Sequence, residues 1–149
     1  MKKATFTIGV FAIIFDDKNR ILFCHRRDYD VWNLPGGALE SEEAPWEGVI
    51  REVKEETGLN VEIEKLTGIY SKPKEDDIVI QFICKVISGE LALNDEADKI
   101  KYFRYDEIPH NTVPKQVERI KDVIENPDKL ITKNQLGKQS MQLIKEGLL

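Results

Sequence analysis

Stretches of apolar residues alternate with short polar turns along most of the chain, and this pattern predicts strands interrupted by helices. Five stretches are dense in Val, Ile, Phe and other residues typical of β-strands. The first is apolar almost without interruption, which suits a central strand buried on both faces. A polar turn at residues 16–19 joins the first two stretches and predicts a hairpin. The predicted strands are residues 5–15, 20–26, 66–70, 78–87 and 100–105.

Two further segments have the spacing of amphipathic helices. Pro45 suits the first turn of a helix, where a missing N–H is no loss, and Gly58 suits the cap at its C-terminal end. A second helix is predicted over residues 114–125. Strands, a helix, more strands and a second helix predict a mixed sheet between helices. The apolar residues expected to face the sheet are Trp46, Val49, Ile50, Val53 and Thr57 in the first helix, and Val117, Ile120 and Ile124 in the second.

The length of 149 residues is that of one domain, so residues 1–149 are predicted to form a single folded unit. Residues 127–149 combine four lysines with scattered apolar residues. This composition predicts a C-terminal helical extension, a short amphipathic helix that docks on the body of the protein or on a second subunit. Either a monomer or a homodimer is compatible with the sequence.

Composition excludes several classes of protein. Hydrophobic residues make up 41% and charged residues 33%, as in ordinary globular proteins. The longest apolar run, residues 8–15, is too short to span a bilayer, and the residues before it do not predict a signal peptide. Cys24 and Cys84 lie in strand-like runs and lack metal-ligand spacing, which favours free thiols in a reduced, cytoplasmic protein. The net charge of −5 does not suit binding to long nucleic acid.

The negative charge is concentrated between residues 37 and 59. Seven glutamates stand there against one arginine and one lysine, which gives −5, the net charge of the whole chain. Glu52, Glu55 and Glu56 are spaced i, i+3 and i+4, so on a helix they share one face and repel one another. A bound hard cation such as Mg²⁺ or Mn²⁺ would neutralise them. A solvated helix face is the alternative interpretation.

The spacing is more specific than three acids on one face. Gly37 is followed after five residues by Glu43, and after seven more by Arg-Glu-Val-Lys-Glu-Glu-Thr-Gly-Leu at residues 51–59; Leu-Pro-Gly-Gly at 34–37 leads into it. This pattern resembles the signature of the Nudix (MutT-like) hydrolases. The resemblance implies the α/β/α sandwich of that family, with a mixed central β-sheet, and hydrolysis dependent on Mg²⁺ or Mn²⁺.

The resemblance also implies roles for individual residues of the signature. Arg51 is expected to orient Glu43 through an ion pair, with direct phosphate contact as the alternative. Gly37 is placed beside the substrate. The residues implied as metal ligands are the carboxylates of Glu52, Glu55 and Glu56 and the backbone carbonyl of Gly36.

Outside the signature the assignments rest on position. The family often takes its catalytic base from a loop outside the signature, and the acidic loop 94–98 occupies that place. Glu96 is the first choice and Asp98 the second, while an ordinary acidic loop is the alternative. Arg26 and Arg27 end a predicted strand, so one of them is expected to point into a cleft and contact the diphosphate, unless both are surface charges. The expected catalytic set is Glu43, Arg51, Glu55 and Glu96.

The resemblance implies a small-molecule substrate, a nucleoside diphosphate linked to another group. Tyr-Ser-Lys-Pro at residues 70–73 resembles a stretch in members that cleave ADP-ribose. ADP-ribose or a nucleotide sugar is therefore the first expectation, a damaged nucleoside triphosphate of the 8-oxo-dGTP type the second, and an RNA 5′ end the third. A non-catalytic nucleotide-binding module is an alternative of another class, but no glutamate of the signature has been lost.

Overall fold

The computed structural model describes residues 2–149, and this part of the chain forms eight strands and three helices. Two short 3₁₀ turns lie at Pro73–Glu75 and Tyr105–Glu107. In chain order the elements are β1 (Thr7–Ile14), β2 (Ile21–Arg26), β3 (Trp32–Asn33), β4 (Gly36–Ala38), α1 (Pro45–Thr57), β5 (Leu59–Lys72), β6 (Asp77–Gly89), β7 (Ala97–Phe103), α2 (Pro114–Glu125), β8 (Ile131–Asn134) and α3 (Ser140–Lys145).

The strands form two sheets. The larger sheet has the order β4-β1-β6-β5-β8, in which β1 pairs parallel to β6, β8 pairs parallel to β5, and the other pairs are antiparallel. The smaller sheet has the antiparallel order β3-β2-β7. The mixed central sheet expected from the sequence is therefore present.

The hairpin predicted for the first two strands is wrong. β1 and β2 belong to different sheets, and a single bridge between Phe15 and Ile21 joins them. The carboxylate of Asp16 accepts the backbone N–H groups of Lys18 and Arg20 and so turns the chain sharply. After that turn β2 is free to pair with β3 and β7 instead.

Helices cover both faces of the larger sheet, which makes the α/β/α sandwich. On one face Val49 and Val53 of α1 join a cluster that includes Val10 of β1 and Phe82 of β6. On the other face, Ile120 of α2 packs in a second cluster that also contains residues of the smaller sheet. Burial of apolar side chains on both faces is the main source of stability for such a layered fold. Within residues 2–149, no helix has the length and apolar character needed to cross a membrane.

The buried face of α1 differs from the expected one. Val49, Val53 and Thr57 are fully buried as predicted, but Trp46 is 59% exposed and Ile50 is also exposed. Glu56 is buried instead. The helix is thus rotated so that the glutamate side, rather than the Trp46 side, approaches the sheet.

Two more predictions were incomplete. β5 begins directly after α1 and runs for 14 residues, although the sequence predicted only residues 66–70. On α2, Ile124 is exposed, while the polar residues Gln116 and Arg119 are buried beside Ile120.

The C-terminal segment is more than a helix. Its helix, α3, has only six residues, and β8 precedes it and pairs with residues 68–71 of β5. Gln135 follows β8 and is buried. Its backbone N–H donates to the carbonyl oxygen of Ser71. The segment therefore completes the edge of the central sheet.

Candidate active site

α1 is fixed at both ends by local hydrogen bonds. Pro45 occupies its first turn, and the side chain of Glu47 accepts the backbone N–H of Ala44. Gly58 ends the helix with a φ of 83°, a left-handed conformation that glycine adopts without strain. The helix therefore holds its glutamates in a set position relative to the sheet.

Two glycines on β4 let two glutamates of α1 come close to the sheet. The N–H of Gly36 donates to Oε2 of Glu56 at 3.1 Å. A Cβ atom on Gly36 would lie 2.2 Å from the carbonyl oxygen of Val10, and one on Gly37 would lie 2.8 Å from the carboxylate of Glu52. A larger residue at position 36 would therefore clash with β1, and one at position 37 would displace the carboxylate of Glu52.

These two carboxyl groups share a partly desolvated environment. Glu56 is only 9% exposed, and Glu52 is nearly as well buried. Burial raises the pKa of Glu56, and the charges of Glu52 and Glu96 raise it further against the opposing hydrogen bond from Gly36. Burial likewise raises the pKa of Glu52, against its hydrogen bond to Arg51. Two such groups favour a shared proton or a shared cation.

The expected ion pair between Arg51 and Glu43 is present. Nε and Nη2 of Arg51 donate to the two oxygens of Glu43 at 2.6 and 3.0 Å. This bidentate contact holds the pKa of Glu43 below its ordinary value. Nη1 also donates to Glu52 at 3.1 Å and to Glu55 at 3.2 Å. Arg51 thus fixes the orientation of several acids at once.

Glu55 does not join the other two ligands predicted from the signature. It is turned toward Arg51, and its side chain is 57% exposed. Within residues 2–149, no group of three or more Asp, Glu, His or Cys side chains has an arrangement that could hold a metal ion. Glu52 and Glu56 do fit a divalent cation by chemistry, because they present neighbouring buried carboxylate oxygens whose mutual repulsion a cation would relieve. Glu55 would have to leave Arg51 to complete such a site.

Glu56 opens into a cleft of about 400 Å³. Glu96, the expected base, lies in the wall of this cleft, where its backbone carbonyl accepts the N–H of Arg27 at 3.0 Å. Burial also raises the pKa of Cys24, so this lining thiol is neutral. The residues that line the cleft are Cys24, His25, Arg26, Arg27, Asp28, Asn33, Glu56, Asp95, Glu96 and Ala97.

Arg26 and Arg27 both line this cleft, although only one of them was expected to point into it, and each already has a local acceptor. Arg26 donates to the two oxygens of Asp28 at 2.7 and 2.6 Å and stacks on Tyr29. Nε of Arg27 donates to the backbone carbonyl of Asn94 at 2.7 Å. Arg27 therefore supports the loop that carries Glu96.

Asn94 ties that loop to α1. Its Nδ2 donates to the carbonyl oxygen of Glu56 at 2.6 Å, and its Oδ1 accepts the backbone N–H groups of Glu96 and Ala97, each at 2.9 Å. One side chain thus sets the distance between the loop and the helix. Asn94 was not singled out from the sequence as a site residue, although an Asn that bonds its own backbone two residues on is a common turn former.

His25 holds the other end of the loop. Its Nδ1 lies 2.7 Å from Asp98 and its Nε2 lies 2.8 Å from Asp30, so both ring nitrogens face carboxylate oxygens. A neutral imidazole donates only one hydrogen bond, and the geometry therefore favours the charged form. Asp98, the second choice for the base, is committed to this contact. Trp32 packs edge-on against His25.

Gly48 was also missed from the sequence. A Cβ atom there would lie 2.8 Å from Oε1 of Glu43 and 2.5 Å from Leu39. The absent side chain lets Glu43 reach Arg51 across the surface of the helix. An isolated glycine inside a helical pattern is a signal for such a close approach, because glycine otherwise weakens a helix.

The geometry of the glycine strand, the acidic helix and the Arg51 pair agrees with comparison to known proteins. A family model for the NUDIX domain matches residues 5–125. The chain belongs to the Nudix hydrolase family. Nudix relatives are named as pyrophosphatases and diphosphatases, and this chain is accordingly an enzyme of that class.

Three similar proteins illustrate the range within the Nudix family. A putative 8-oxo-dGTP diphosphatase of Bacillus subtilis is 31% identical over 118 residues, covering 78% of this chain and 79% of the relative. An ADP-ribose pyrophosphatase of Methanocaldococcus jannaschii is 39% identical over 109 residues, covering 68% of this chain and 64% of the relative. The crystal structure of a UDP-X diphosphatase matches with a TM-score of 0.76 and 25% identity, over 89% of this chain and 69% of that one.

Proposed function

We propose that this protein hydrolyses the diphosphate bond of a nucleoside diphosphate linked to a second group, in a reaction that requires Mg²⁺ or Mn²⁺. The observation that carries the proposal is the pair of buried carboxylates, Glu52 and Glu56, beside the two glycines of β4. Glu56 lines a cleft of about 400 Å³, which lies within the size range of small-molecule sites.

Glu52 and Glu56, with the carbonyl of Gly36, would hold the cation, and Glu55 would join them by releasing Arg51. The bound cation would neutralise the negative charge that develops on the phosphate oxygens, and it would activate the attacking water. Arg51 keeps Glu43 in place and so maintains the shape of the site around it.

Glu96 serves as the general base in this proposal. It takes the proton of a water whose oxygen attacks one phosphorus, while the bond from that phosphorus to the bridging oxygen breaks. Arg26 and Arg27 line the space in which the diphosphate would lie, and their two guanidinium groups favour its negative charge. Gly37, the third expected substrate contact, is not among the residues that line this cleft.

ADP-ribose or a nucleotide sugar is the proposed substrate class. The Methanocaldococcus relative named for ADP-ribose has the higher identity of the two curated relatives described above, and the UDP-X diphosphatase has a similar fold. Damaged nucleoside triphosphates are the second candidate. The Bacillus relative favours them, because the match covers 79% of that relative and only 64% of the Methanocaldococcus one.

The decisive experiment compares wild-type protein with Glu56→Gln, which keeps the side chain's shape and removes a negative ligand. With ADP-ribose and Mg²⁺, we expect AMP release to fall by orders of magnitude in the variant, and chelator to abolish it in the wild type. Binding of Mn²⁺, followed by paramagnetic resonance, should weaken in parallel.

Glu62→Gln is the matched control, because Glu62 is exposed on β5 and the chemical change is the same. It should leave both turnover and Mn²⁺ binding unchanged. Full activity of wild type in chelator, or near wild-type turnover of Glu56→Gln, would contradict the proposed site. Repeating the assay with 8-oxo-dGTP and with a UDP-sugar separates the substrate classes by their kcat/KM values.

A further inference from the structure

A second cavity lies on the α2 side of the molecule. It has no lining residue in common with the active-site cleft and a volume of about 110 Å³. We call it the basic pocket and define it by Lys72, Lys115, Gln116, Arg119 and Lys138. Part of its wall comes from the C-terminal segment, which lies outside the residues matched by the family model.

Arg119 is the most unusual residue of this pocket. It is only 3% exposed, and its guanidinium lies between the rings of Phe11 and Tyr70 at 5.3 and 5.6 Å. Nη1 donates to Oε1 of Gln135 at 2.9 Å, whereas Nε is buried and has no hydrogen-bond partner among the residues that the structure describes. A buried donor without a partner is costly, and its presence calls for an acceptor.

The charges around the pocket are only partly balanced. Lys72 pairs with Asp77 at 3.2 Å, and Lys138 pairs with Glu146 at 2.6 Å. Within residues 2–149, no carboxylate oxygen lies within 4.0 Å of the charged nitrogens of Lys115 or Arg119.

The partners of Lys115 are also weak. Its Nζ donates to the carbonyl of Gly137, a neutral acceptor. Burial lowers the pKa of Lys115, and the charges of Lys72 and Arg119 lower it further. Two cations without a direct ion pair therefore line one small cavity, and the acids whose charges reach them, Glu75, Asp77 and Glu118, lie farther away than 4.0 Å.

The size of the pocket limits what it could hold. A water molecule occupies about 30 Å³ in the liquid, so the cavity corresponds to only a few waters. Sites for drug-sized ligands start at about 300 Å³. The pocket is thus too small for a nucleoside and large enough for a single tetrahedral anion.

We propose that the basic pocket is a second anion site, which binds a phosphate group through Lys115 and Arg119 and is closed by residues 138–140. Gln116 adds a further donor, because its Oε1 already accepts the N–H of Leu34 and its amide nitrogen remains available. Both free phosphate and the terminal phosphate of a monoester have the required chemistry. The proposal does not depend on the reaction at the acidic cleft.

The test is a titration of the full chain with inorganic phosphate in chelator, so that no divalent cation can bring phosphate to the acidic cleft. Calorimetry gives the dissociation constant, and the NMR signal of the Arg119 Nε–H group reports on the pocket directly. We expect this signal to shift with added phosphate. Lys115→Gln should weaken binding about tenfold, as loss of one charge-assisted hydrogen bond predicts.

Lys121→Gln is the control, because Lys121 is exposed on the same helix and has its own partner, Glu125. It should bind phosphate as the wild type does. A parallel titration with AMP separates the two sources of the ligand: binding that depends on Lys115 shows that monoesters enter, and its absence restricts the site to the free anion.

An unchanged Arg119 signal, or equal phosphate affinity in wild type and Lys115→Gln, would overturn the proposal. Because the titration contains chelator and measures no hydrolysis, such a failure leaves the Glu56→Gln experiment unaffected.

Discussion

Glu52 and Glu56 owe their positions to residues that carry no functional group. Gly37 leaves the space that the Glu52 carboxylate fills, and Gly48 does the same for Glu43. Gly36 lets β4 lie close to β1, where its N–H donates to Glu56. A change of Gly37 to alanine would place a methyl group against Glu52 without altering any charged residue. At the scale of single residues, the site is therefore shaped as much by missing side chains as by acids.

Glu96 provides a test of the catalytic base. If it accepts the proton of the attacking water, Glu96→Gln should reduce turnover by roughly 10²–10⁴-fold, with little change in metal or substrate affinity. Glu90→Gln, on the exposed stretch that follows β6, is the control and should have no effect. Steady-state kinetics with separate kcat and KM values decides the matter. A small effect of Glu96→Gln would assign activation of the water to the acids of α1 alone.

His25 makes stability depend on pH. Burial favours its neutral form, but the hydrogen bonds to Asp30 and Asp98 outweigh burial, and the pKa lies above the ordinary 6.5. The stabilisation that charged His25 gives to the folded protein should thus be complete below about pH 6.5. It should be lost as the pH rises through the pKa of His25 in the folded state. The pKa of Asp98 is lowered, chiefly by its hydrogen bond to His25. The contribution of Asp98 to stability is therefore lost only in acid, below about pH 3.8.

The measurement is the difference in unfolding free energy between wild type and His25→Gln, obtained by urea titration at several pH values. This difference should be larger near pH 6 than near pH 9. His110→Gln serves as the control, since no hydrogen bond of the His110 side chain is found within residues 2–149. A difference that grows with pH would contradict the charged form of His25.

At the scale of elements, α1 provides a paired test of burial. Val53 is fully buried and Trp46 is 59% exposed on the same helix. Val53→Ala should destabilise the protein by about 1–3 kcal/mol through lost packing. Trp46→Ala should change stability by no more than about 0.5 kcal/mol, although it removes a much larger side chain. Thermal unfolding of both variants measures this, and a larger loss in Trp46→Ala would contradict the observed rotation of the helix.

The elements also show which features a sequence reveals. α1 could be predicted with its ends because Pro45 and Gly58 act locally. β5 carries such a local signal only in part: apolar and charged residues alternate from Val61 to Glu64, as in a half-buried strand, while its full length of 14 residues depends on pairing with β6. β8 has four residues and no pattern of its own, and it forms because β5 offers it an edge.

The candidate site also has features that the sequence reveals and features that it does not. The convergence of Glu52 and Glu56 follows from helical spacing together with the two glycines, both visible in the sequence. The orientation of Glu55 cannot be predicted from the sequence, because the rotamer of this exposed side chain depends on its partner Arg51. The contacts of Asn94 and His25 join residues distant in the chain and depend on the folded arrangement of loops.

At the scale of the whole molecule, the reaction itself is the remaining prediction. Hydrolysis in water enriched in ¹⁸O should place the label on one phosphate-containing product, because the water attacks phosphorus. With ADP-ribose the products should be AMP and ribose 5-phosphate, and mass spectrometry of both locates the label. Label on a sugar carbon, or release of a free base, would mean cleavage of a glycosidic bond and would end the proposal.

β8 has one more consequence for the molecule. It covers residues 68–71 of β5, whose backbone N–H and C=O groups would otherwise face solvent in a row. Such an open row is a template on which a second chain can add a strand. Because β8 is short and is followed by the segment that walls the basic pocket, release of that segment would expose the template. With β8 in place the edge of the sheet is a strand of only four residues, so we expect that conditions that loosen the C-terminal residues are the first in which the protein aggregates.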